Sequence, residues 1–287
     1  MAADADREQQ LRAYVEYFRD MGVYDFYRRG EPVFAVAADA VAEPTVIEHV
    51  AARSEPAAAV VRAVAETKPR PLEVPIPKLV SFNDLTPLPE SRVAKADRAE
   101  ALKEIQAEIG DCTRCPLAYA GRHKIVFGDG DPGARLMFVG EGPGADEDAS
   151  GVPFVGKAGQ LLNNMIGAMG LKREEVYIAN VVKCRPPANR APEPVEANTC
   201  DQFLLRQMDV VQPEVVVALG ATAAMYLLGV KQSLVALRGR WHACRGAKLA
   251  VTYHPAFLLR DPRMKGEAWK DLQMVMKEMG LKAPAKS

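Results

Sequence analysis

Four of the five cysteines in this 287-residue chain are spaced as metal ligands could be. Cys112 and Cys115 form a C-x2-C pair in GDCTRCP, and Cys184 and Cys200 follow with fifteen residues between them. A zinc ribbon carries two such pairs, but only the first has this spacing here. Four separate thiolates fit a structural [4Fe–4S] cluster better, with zinc or unliganded cysteines as the alternatives. We expect Cys244, which stands alone, to be buried or neutral.

An acidic, glycine-rich segment, GEGPGADED at 140–148, follows the apolar run LMFV. Its glycines resemble a phosphate cradle at a helix N-terminus, but its four carboxylates would repel a phosphate. Carboxylates instead suit a site that stabilises a developing cation and positions a water molecule. A glycosidic bond that breaks through an oxocarbenium-like state creates such a cation. The alternative is an acidic turn in solvent.

Three further residues have side chains suited to a planar polar ligand. Phe154, in the loop GVPFVG, could stack on a ring, with core packing as the alternative. Asn180, inside the apolar run YIANVV, needs hydrogen-bond partners when buried, so it could bind the edge of a base or a neighbouring loop. His254 ends the run LAVTYH, where a neutral imidazole could donate to an oxygen that gains negative charge. A structural histidine fits that pattern equally well.

The residues after His254 read PAFLLRDP. We predict that Leu258 and Leu259 lie on an exposed loop. Apolar residues beside Arg260 resemble a wedge that enters a nucleic-acid duplex next to a phosphate contact.

These motifs follow short apolar runs that we predict to be strands, at 135–140, 176–182, 214–220 and 249–254. Helical patterns are predicted at 97–110, 157–169, 194–210, 221–229 and 264–279. Apolar strands that alternate with helices indicate an α/β fold with a parallel sheet covered on both faces. Ligands of such sheets bind outside the carboxyl ends of the strands, where nearly all the motifs lie.

The N-terminal third has a different composition. Apolar residues recur with helical spacing over 7–29, which predicts an amphipathic helix that packs on the body or docks a protein partner. Proline recurs through 31–96, which indicates a flexible linker. We therefore divide the chain into a helix at 1–30, a Pro/Ala-rich linker at 31–96 and a catalytic domain at 97–287.

Composition excludes several classes of protein. Apolar residues make up 48% of the chain, and its formal net charge is zero with a mild basic excess after residue 96. No apolar run is long enough to span a membrane, and the N-terminus lacks the features of a signal peptide. We expect a cytoplasmic monomer without membrane contact, in which disulfides are not favoured.

Together the motifs resemble family 4 uracil-DNA glycosylase, the iron–sulfur branch of its superfamily. The matching pieces are GE-x-PG-x-x-ED at 140–148, the PFVG loop, the asparagine of IANVVKCRPP, the four cysteines and HPA-x-x-LR at 254–260. They occur in the family's order and cover residues 97–280, but not residues 1–95. The resemblance implies a three-layer α/β/α sandwich with a four-stranded parallel sheet. It also implies hydrolysis of the uracil N-glycosidic bond in DNA by base flipping, which leaves an abasic site.

The resemblance also implies roles for single residues. Phe154 would stack on the flipped uracil, Asn180 would bond its polar edge, and His254 would support the charge on the leaving group. Glu141 and Glu147 would line the sugar and water side as catalytic residues, and Glu147 would crowd a thymine methyl. The remaining assignments are base-binding backbone amides at Gly140 and Gly142, DNA contacts at Leu258, Leu259 and Arg260, and cluster ligands at Cys112, Cys115, Cys184 and Cys200. We expect no soluble cofactor and no divalent metal.

A DNA-trapping relative carries a nucleophilic histidine in a loop after the second strand, whereas CRPPANRAPEPVEANTC has none, so we expect turnover. Two other functions are compatible with the motifs. One is a non-catalytic DNA-binding or repair-partner module on the same fold. The other is a cysteine-rich redox or zinc protein.

Overall fold

The structure, a computed structural model, describes residues 88–89 and 91–283. Its centre is a sheet of six strands with the spatial order β1-β3-β2-β4-β6-β5. The strands are β1 Asp129–Gly130, β2 Leu136–Gly140, β3 Tyr177–Asn180, β4 Val215–Leu219, β5 His242–Cys244 and β6 Ala247–Thr252. The four inner strands are parallel, and the two edge strands pair antiparallel with their neighbours.

The predicted parallel α/β sheet is confirmed, but the sheet is larger than the four strands expected. Each of the four predicted apolar runs overlaps one of the four inner strands. The edge strands β1 and β5 were missed because they have two and three residues and are only partly buried. Sequences this short carry no periodic pattern from which a strand can be predicted.

Helices cover both faces of the sheet. The eight α-helices are α1 Arg98–Ile109, α2 Ala145–Ser150, α3 Lys157–Ala168, α4 Pro194–Val211, α5 Ala221–Leu228, α6 Leu234–Leu237, α7 Pro255–Arg260 and α8 Lys265–Met279. Alternate residues of each inner strand point to opposite faces. In β4, for example, Val216 packs in the core with α1, α4 and α5, whereas Val217 packs with α3 and α8. This arrangement is the expected three-layer sandwich.

Five of the predicted helices match observed helices to within a residue or two at each end. The short helices α2, α6 and α7 were not predicted. Residues 255–260 form a helix instead of an exposed loop. Leu258 is only 1% exposed and packs with Tyr253 and Ala268, so the prediction that Leu258 contacts DNA is wrong. Leu259, the next residue, is 43% exposed.

The predicted helix at 7–29 and nearly all of the predicted linker at 31–96 lie outside the described residues. From residue 91 the chain packs on the domain, where the Val93 carbonyl accepts a hydrogen bond of 3.0 Å from Gln212. Within the described residues, no helix has the length and apolarity needed to cross a membrane.

A buried polar network lies under the end of β3. The ammonium of Lys183, which is 1% exposed, donates to the Asn180 carbonyl at 3.0 Å and to Gln207 Oε1 at 2.6 Å. Gln207 Nε2 donates in turn to the Phe127 carbonyl at 2.9 Å and to the Tyr177 hydroxyl at 3.1 Å. Burial lowers the pKa of Lys183 to about 8. Gln207 therefore supplies a partner that this cation needs in an apolar surrounding.

We predict that Gln207→Leu destabilises the domain by about 2 kcal/mol, because it removes a partner of three buried polar groups. Gln202→Leu is the matched control, since Gln202 is exposed on the same helix and its amide bonds only to the Thr199 carbonyl. Thermal or urea unfolding followed by circular dichroism measures both variants. Equal stability of the two variants would contradict the structural role of the network.

Candidate active site

The carboxyl ends of three parallel strands surround one cavity of about 360 Å³. Glu141 follows β2, Asn180 ends β3, and His254 lies two residues after β6. Loops and helices complete the wall with Gly142, Pro143, Gly144, Glu147, Phe154, Ala158, Pro186, Asn189, Arg190, Ala256 and Arg260. The cavity therefore lies where ligands of parallel α/β sheets bind.

Phe154 forms one side of the cavity. Its ring centroid lies 5.7 Å from that of His254, with the two rings tilted by 34°. Phe154 also belongs to the apolar core with Phe138 and Leu162, so this residue is both part of the core and part of the cavity wall. A Cβ atom on Gly140 would press on the Phe154 ring and on Asn180 Oδ1, so only glycine fits behind them.

Asn180 is 1% exposed, and its amide oxygen has no hydrogen-bond partner among the described residues. Leaving a buried acceptor unpaired costs about 1–3 kcal/mol. The residue faces the cavity, so a ligand with an N–H group can satisfy this oxygen. The backbone carbonyl of Asn180 is already used by the Lys183 ammonium.

His254 caps the N-terminus of α7, and its Nδ1 accepts a hydrogen bond of 3.1 Å from the amide of Ala256. A backbone amide can only donate, so Nδ1 carries no proton and the neutral ring carries its proton on Nε2. Burial and the positive charge of Arg260 lower the pKa of His254 to about 4, although Glu147 acts in the opposite direction. At neutral pH the imidazole is therefore an uncharged donor.

Glu147 lines the cavity and also holds the loop that carries Phe154. One carboxylate oxygen accepts from the amides of Val155 at 2.9 Å and Gly156 at 3.0 Å. The other accepts from the amide of Gly144 at 3.0 Å. These three bonds fix the orientation of the carboxylate relative to the cavity.

The four carboxylates of the acidic segment separate into two groups. Glu141 and Glu147 line the cavity, whereas Asp146 and Asp148 do not. Asp148 is buried and accepts from the backbone amide of His123 at 2.9 Å, with the His123 ring at 2.6 Å. Burial raises the pKa of Asp148, but the hydrogen bonds from His123 outweigh it and lower that pKa below its ordinary value. Asp148 is thus a structural anion.

Three lining residues come from a proline-rich loop that sequence reasoning did not assign to the cavity: Pro186, Asn189 and Arg190. Asn189 has a left-handed backbone with φ of 55°. The guanidinium of Arg190 forms two bonds, of 2.8 and 2.6 Å, with the Glu196 carboxylate. The sequence RPPANR marks a stiff loop, but the wall that this loop reaches depends on the tertiary fold. Leu259 and Gly140 are not among the lining residues, and Arg260 is.

A second, small cavity gathers the four cysteines of the predicted cluster site. It is lined by Cys112, Cys115, Cys184 and Cys200. Arg122 donates to the Cys184 sulfur at 3.3 Å, and Arg114 donates to the Cys112 sulfur at 3.4 Å. Cys244 is buried in the apolar core elsewhere.

The chemistry of this cysteine cavity fits a group that supplies positive charge to buried sulfurs. Burial raises the pKa of Cys115 to about 12 and also raises that of Cys184, where Arg122 acts in the opposite direction. Such thiols ionise only on binding a metal. Within residues 91–283, no three His, Cys, Asp or Glu side chains are arranged to hold a single metal ion. Four thiols around one cavity are a donor set that a metal group can use.

Comparison with known proteins gives consistent matches. The sequence model described as "Uracil DNA glycosylase superfamily" matches residues 127–273. The chain is 46% identical to the type-4 uracil-DNA glycosylase of Thermotoga maritima, over 57% of this chain and 86% of the relative. It is 39% identical to the type-4 enzyme of Archaeoglobus fulgidus, over 64% of this chain and 96% of the relative. It is 42% identical to that of Pyrobaculum aerophilum, over 60% and 92%.

The matched region contains the inner strands, the residues around the larger cavity and six of the α-helices described above, α2 to α7. The family model alone spans more than half of the chain, and the match to the Archaeoglobus fulgidus relative covers a larger share of it. The chain therefore belongs to the uracil DNA glycosylase superfamily.

Proposed function

We propose that this protein is a DNA repair enzyme that hydrolyses the bond between uracil and deoxyribose in DNA, leaving an abasic site. The observation that carries the proposal is that Phe154, Asn180 and His254 line the same cavity. The type-4 uracil-DNA glycosylases similar to this chain support the substrate.

The cavity can bind uracil through stacking and one well-placed acceptor. Phe154 offers its ring as a stacking surface. The unpaired oxygen of Asn180 accepts the N3–H of uracil, which satisfies a buried group that otherwise costs stability. The carboxylate of Glu147, which three backbone amides hold in place, would crowd a methyl group at C5 and so disfavour thymine.

The same residues can stabilise the separated charges of bond cleavage. As the glycosidic bond breaks, its electron pair moves to uracil and spreads onto the carbonyl oxygens. The Nε2–H group of His254 donates a hydrogen bond to one of these uracil oxygens, without a full proton transfer. Glu141 and Glu147 place negative charge near the cationic sugar and orient a water molecule. The water oxygen bonds to C1′ and loses one proton to the solvent, from which the uracil anion takes up a proton. The products are uracil and an abasic site.

The target base must leave the duplex before it can enter the cavity, at a cost of a few kcal/mol. Leu259 is exposed on α7 and can fill the gap in the base stack, while Arg260 contacts a phosphate. Buried Leu258 supports α7 from below. Both single-stranded and double-stranded DNA can present uracil in this way.

Cys112, Cys115, Cys184 and Cys200 would hold a structural [4Fe–4S] cluster in the cysteine cavity. Such a cluster would cross-link three parts of the chain and would take no part in hydrolysis. Cys112 and Cys115 follow α1, Cys184 follows β3, and Cys200 lies in α4. Arg122 and Arg114 supply positive charge next to the sulfurs.

The protein acts as a cytoplasmic monomer without membrane contact. Its predicted helix at 7–29 remains a proposed docking segment for a protein partner, and excision requires neither this helix nor a soluble cofactor.

The function is tested with an oligonucleotide that contains one uracil, followed by alkaline cleavage of abasic sites. We expect strand breaks at uracil and none when thymine replaces it. Asn180→Ala should slow excision by about 5- to 150-fold, because loss of a hydrogen bond to a buried partner costs about 1–3 kcal/mol. Asn164→Ala, at an exposed position on α3, should leave the rate unchanged. No strand break at enzyme excess would support the non-catalytic DNA-binding module instead.

A second prediction concerns the protonation of His254. Its pKa of about 4 lies below the ordinary 6.5, so the folded protein keeps the ring neutral as pH falls through that interval. The unfolded chain binds the extra proton there, so stability decreases from pH 6.5 towards 4. Nitrogen-15 NMR of labelled histidine should show a neutral ring protonated on Nε2 at pH 6, with the resonance identified by its loss in His254→Asn.

The excision rate should follow the neutral form and stay level from neutral pH down to about pH 5. His254→Ala should lower this rate by about 100-fold, as expected for the loss of one donor to a developing anion. A His254 resonance that titrates near 6.5, or an unchanged rate in His254→Ala, would contradict the assigned role.

A third prediction concerns the cysteine cavity. Anaerobically purified protein should be brown and contain about four irons per chain. Cys184→Ser should lose iron and unfold at lower temperature, whereas Cys244→Ser should keep its iron because Cys244 does not line the cysteine cavity. Colourless protein with stoichiometric zinc would show that the site binds zinc.

A further inference from the structure

The loop that presents Phe154 has a backbone that the residue does not favour by itself. Phe154 has a φ of 53°, in the left-handed region that is unfavourable for a side chain with a Cβ atom. Such a conformation persists only when its surroundings impose it. The contacts of the loop therefore decide where the Phe154 ring lies.

Two charged side chains hold the loop from opposite sides. Glu147 accepts the amides of Val155 and Gly156, directly after Phe154. Arg173, in the turn before β3, donates to the carbonyls of Pro153 at 2.6 Å and of Phe154 at 3.2 Å. The peptide units on both sides of the Phe154 ring are thus fixed by charge-assisted hydrogen bonds, which are stronger than neutral ones.

Arg173 is itself held in a single orientation. Its Nε and Nη2 donate to Asp129 Oδ2 at 3.2 and 3.1 Å, and its Nη1 donates to Asn163 Oδ1 at 3.0 Å. With the two loop carbonyls, these bonds occupy all five N–H groups of the guanidinium. A lysine has only three N–H groups on a single nitrogen, so it cannot reproduce this arrangement.

Arg173 does not line the cavity, and its side chain is only 19% exposed. A base bound in the cavity would therefore meet the loop and not Arg173, so the route from Arg173 to the base runs through the loop. Gly159 on α3 completes the fit, because a Cβ atom there would overlap the Phe154 carbonyl.

We propose that Arg173 is a positioning residue that sets the plane of the Phe154 ring for stacking on the flipped base. This inference depends on the proposed uracil-excising function. Asp129 acts one step further away, because it orients Arg173 from the edge strand β1.

The test is a double-mutant cycle with Arg173→Ala, Phe154→Ala and the double variant. Single-turnover excision of a uracil oligonucleotide and equilibrium binding of free uracil are both measured. We expect each single variant to lose roughly 10-fold or more in both quantities, because small misplacements of a binding group are costly. The double variant should be no worse than Phe154→Ala, since Arg173 has nothing to position once the ring is gone.

Chemical rescue and two controls sharpen the result. Added guanidinium should restore part of the activity of Arg173→Ala but none of that of Phe154→Ala. Arg245→Ala removes another arginine, whose side chain is only 2% exposed and forms an ion pair with Asp209. It should lower stability without changing uracil binding. Asp129→Asn, a milder change, should weaken uracil binding in the same direction if Arg173→Ala does not fold.

The outcomes separate the two proposals. Additive losses in the cycle, or unchanged uracil binding in both Arg173→Ala and Asp129→Asn, would overturn the positioning role while wild-type excision stands. Absence of excision by the wild-type protein would instead overturn the proposed function itself.

Discussion

The parallel pairing of the four inner strands places chemically unlike residues side by side. Gly140 lies opposite Asn180 in the β2–β3 pair, and Leu219 lies opposite Thr252 in the β4–β6 pair. The strands are buried on both faces, so polar side chains can reach a ligand only at the strand ends. The small size of Gly140 then lets Phe154 and Asn180 approach the same point. The arrangement of the larger cavity therefore depends on the pairing register of the strands at this edge of the sheet.

The polar groups around that edge differ in how completely they are satisfied. Lys183 and Gln207 bond to each other and to backbone carbonyls, which stabilises the end of β3. The side-chain oxygen of Asn180, by contrast, has no hydrogen-bond partner among the described residues, although the backbone carbonyl of Asn180 bonds to Lys183. An unsatisfied buried acceptor and a left-handed phenylalanine are both unfavourable for stability. Their occurrence in one cavity is expected where binding, and not folding, has determined the residues.

The cysteine cavity and the larger cavity meet along one short stretch of chain. Asn180, Lys183 and Cys184 follow each other at the exit of β3, and the Lys183 side chain bonds back to the Asn180 carbonyl. A group that fixes Cys184 would therefore also limit the movement of Asn180. Under the proposed function, a structural cluster remote from the reacting bond would in this way help to order the site.

The sequence by itself determined the inner strands, five of the helices, the parallel α/β class and the identity of half of the fourteen residues around the cavity. These features depend on local patterns, such as apolar runs bounded by glycine, that are visible within a few residues. Only the tertiary structure decided that residues 255–260 form a helix with Leu258 inside, because that burial requires Ala268 from α8. It also decided the His254 tautomer and the role of Arg173, whose partner Asp129 lies 44 positions away. Such long-range contacts leave no periodic pattern in the chain, so they become visible only when the fold brings the partners together.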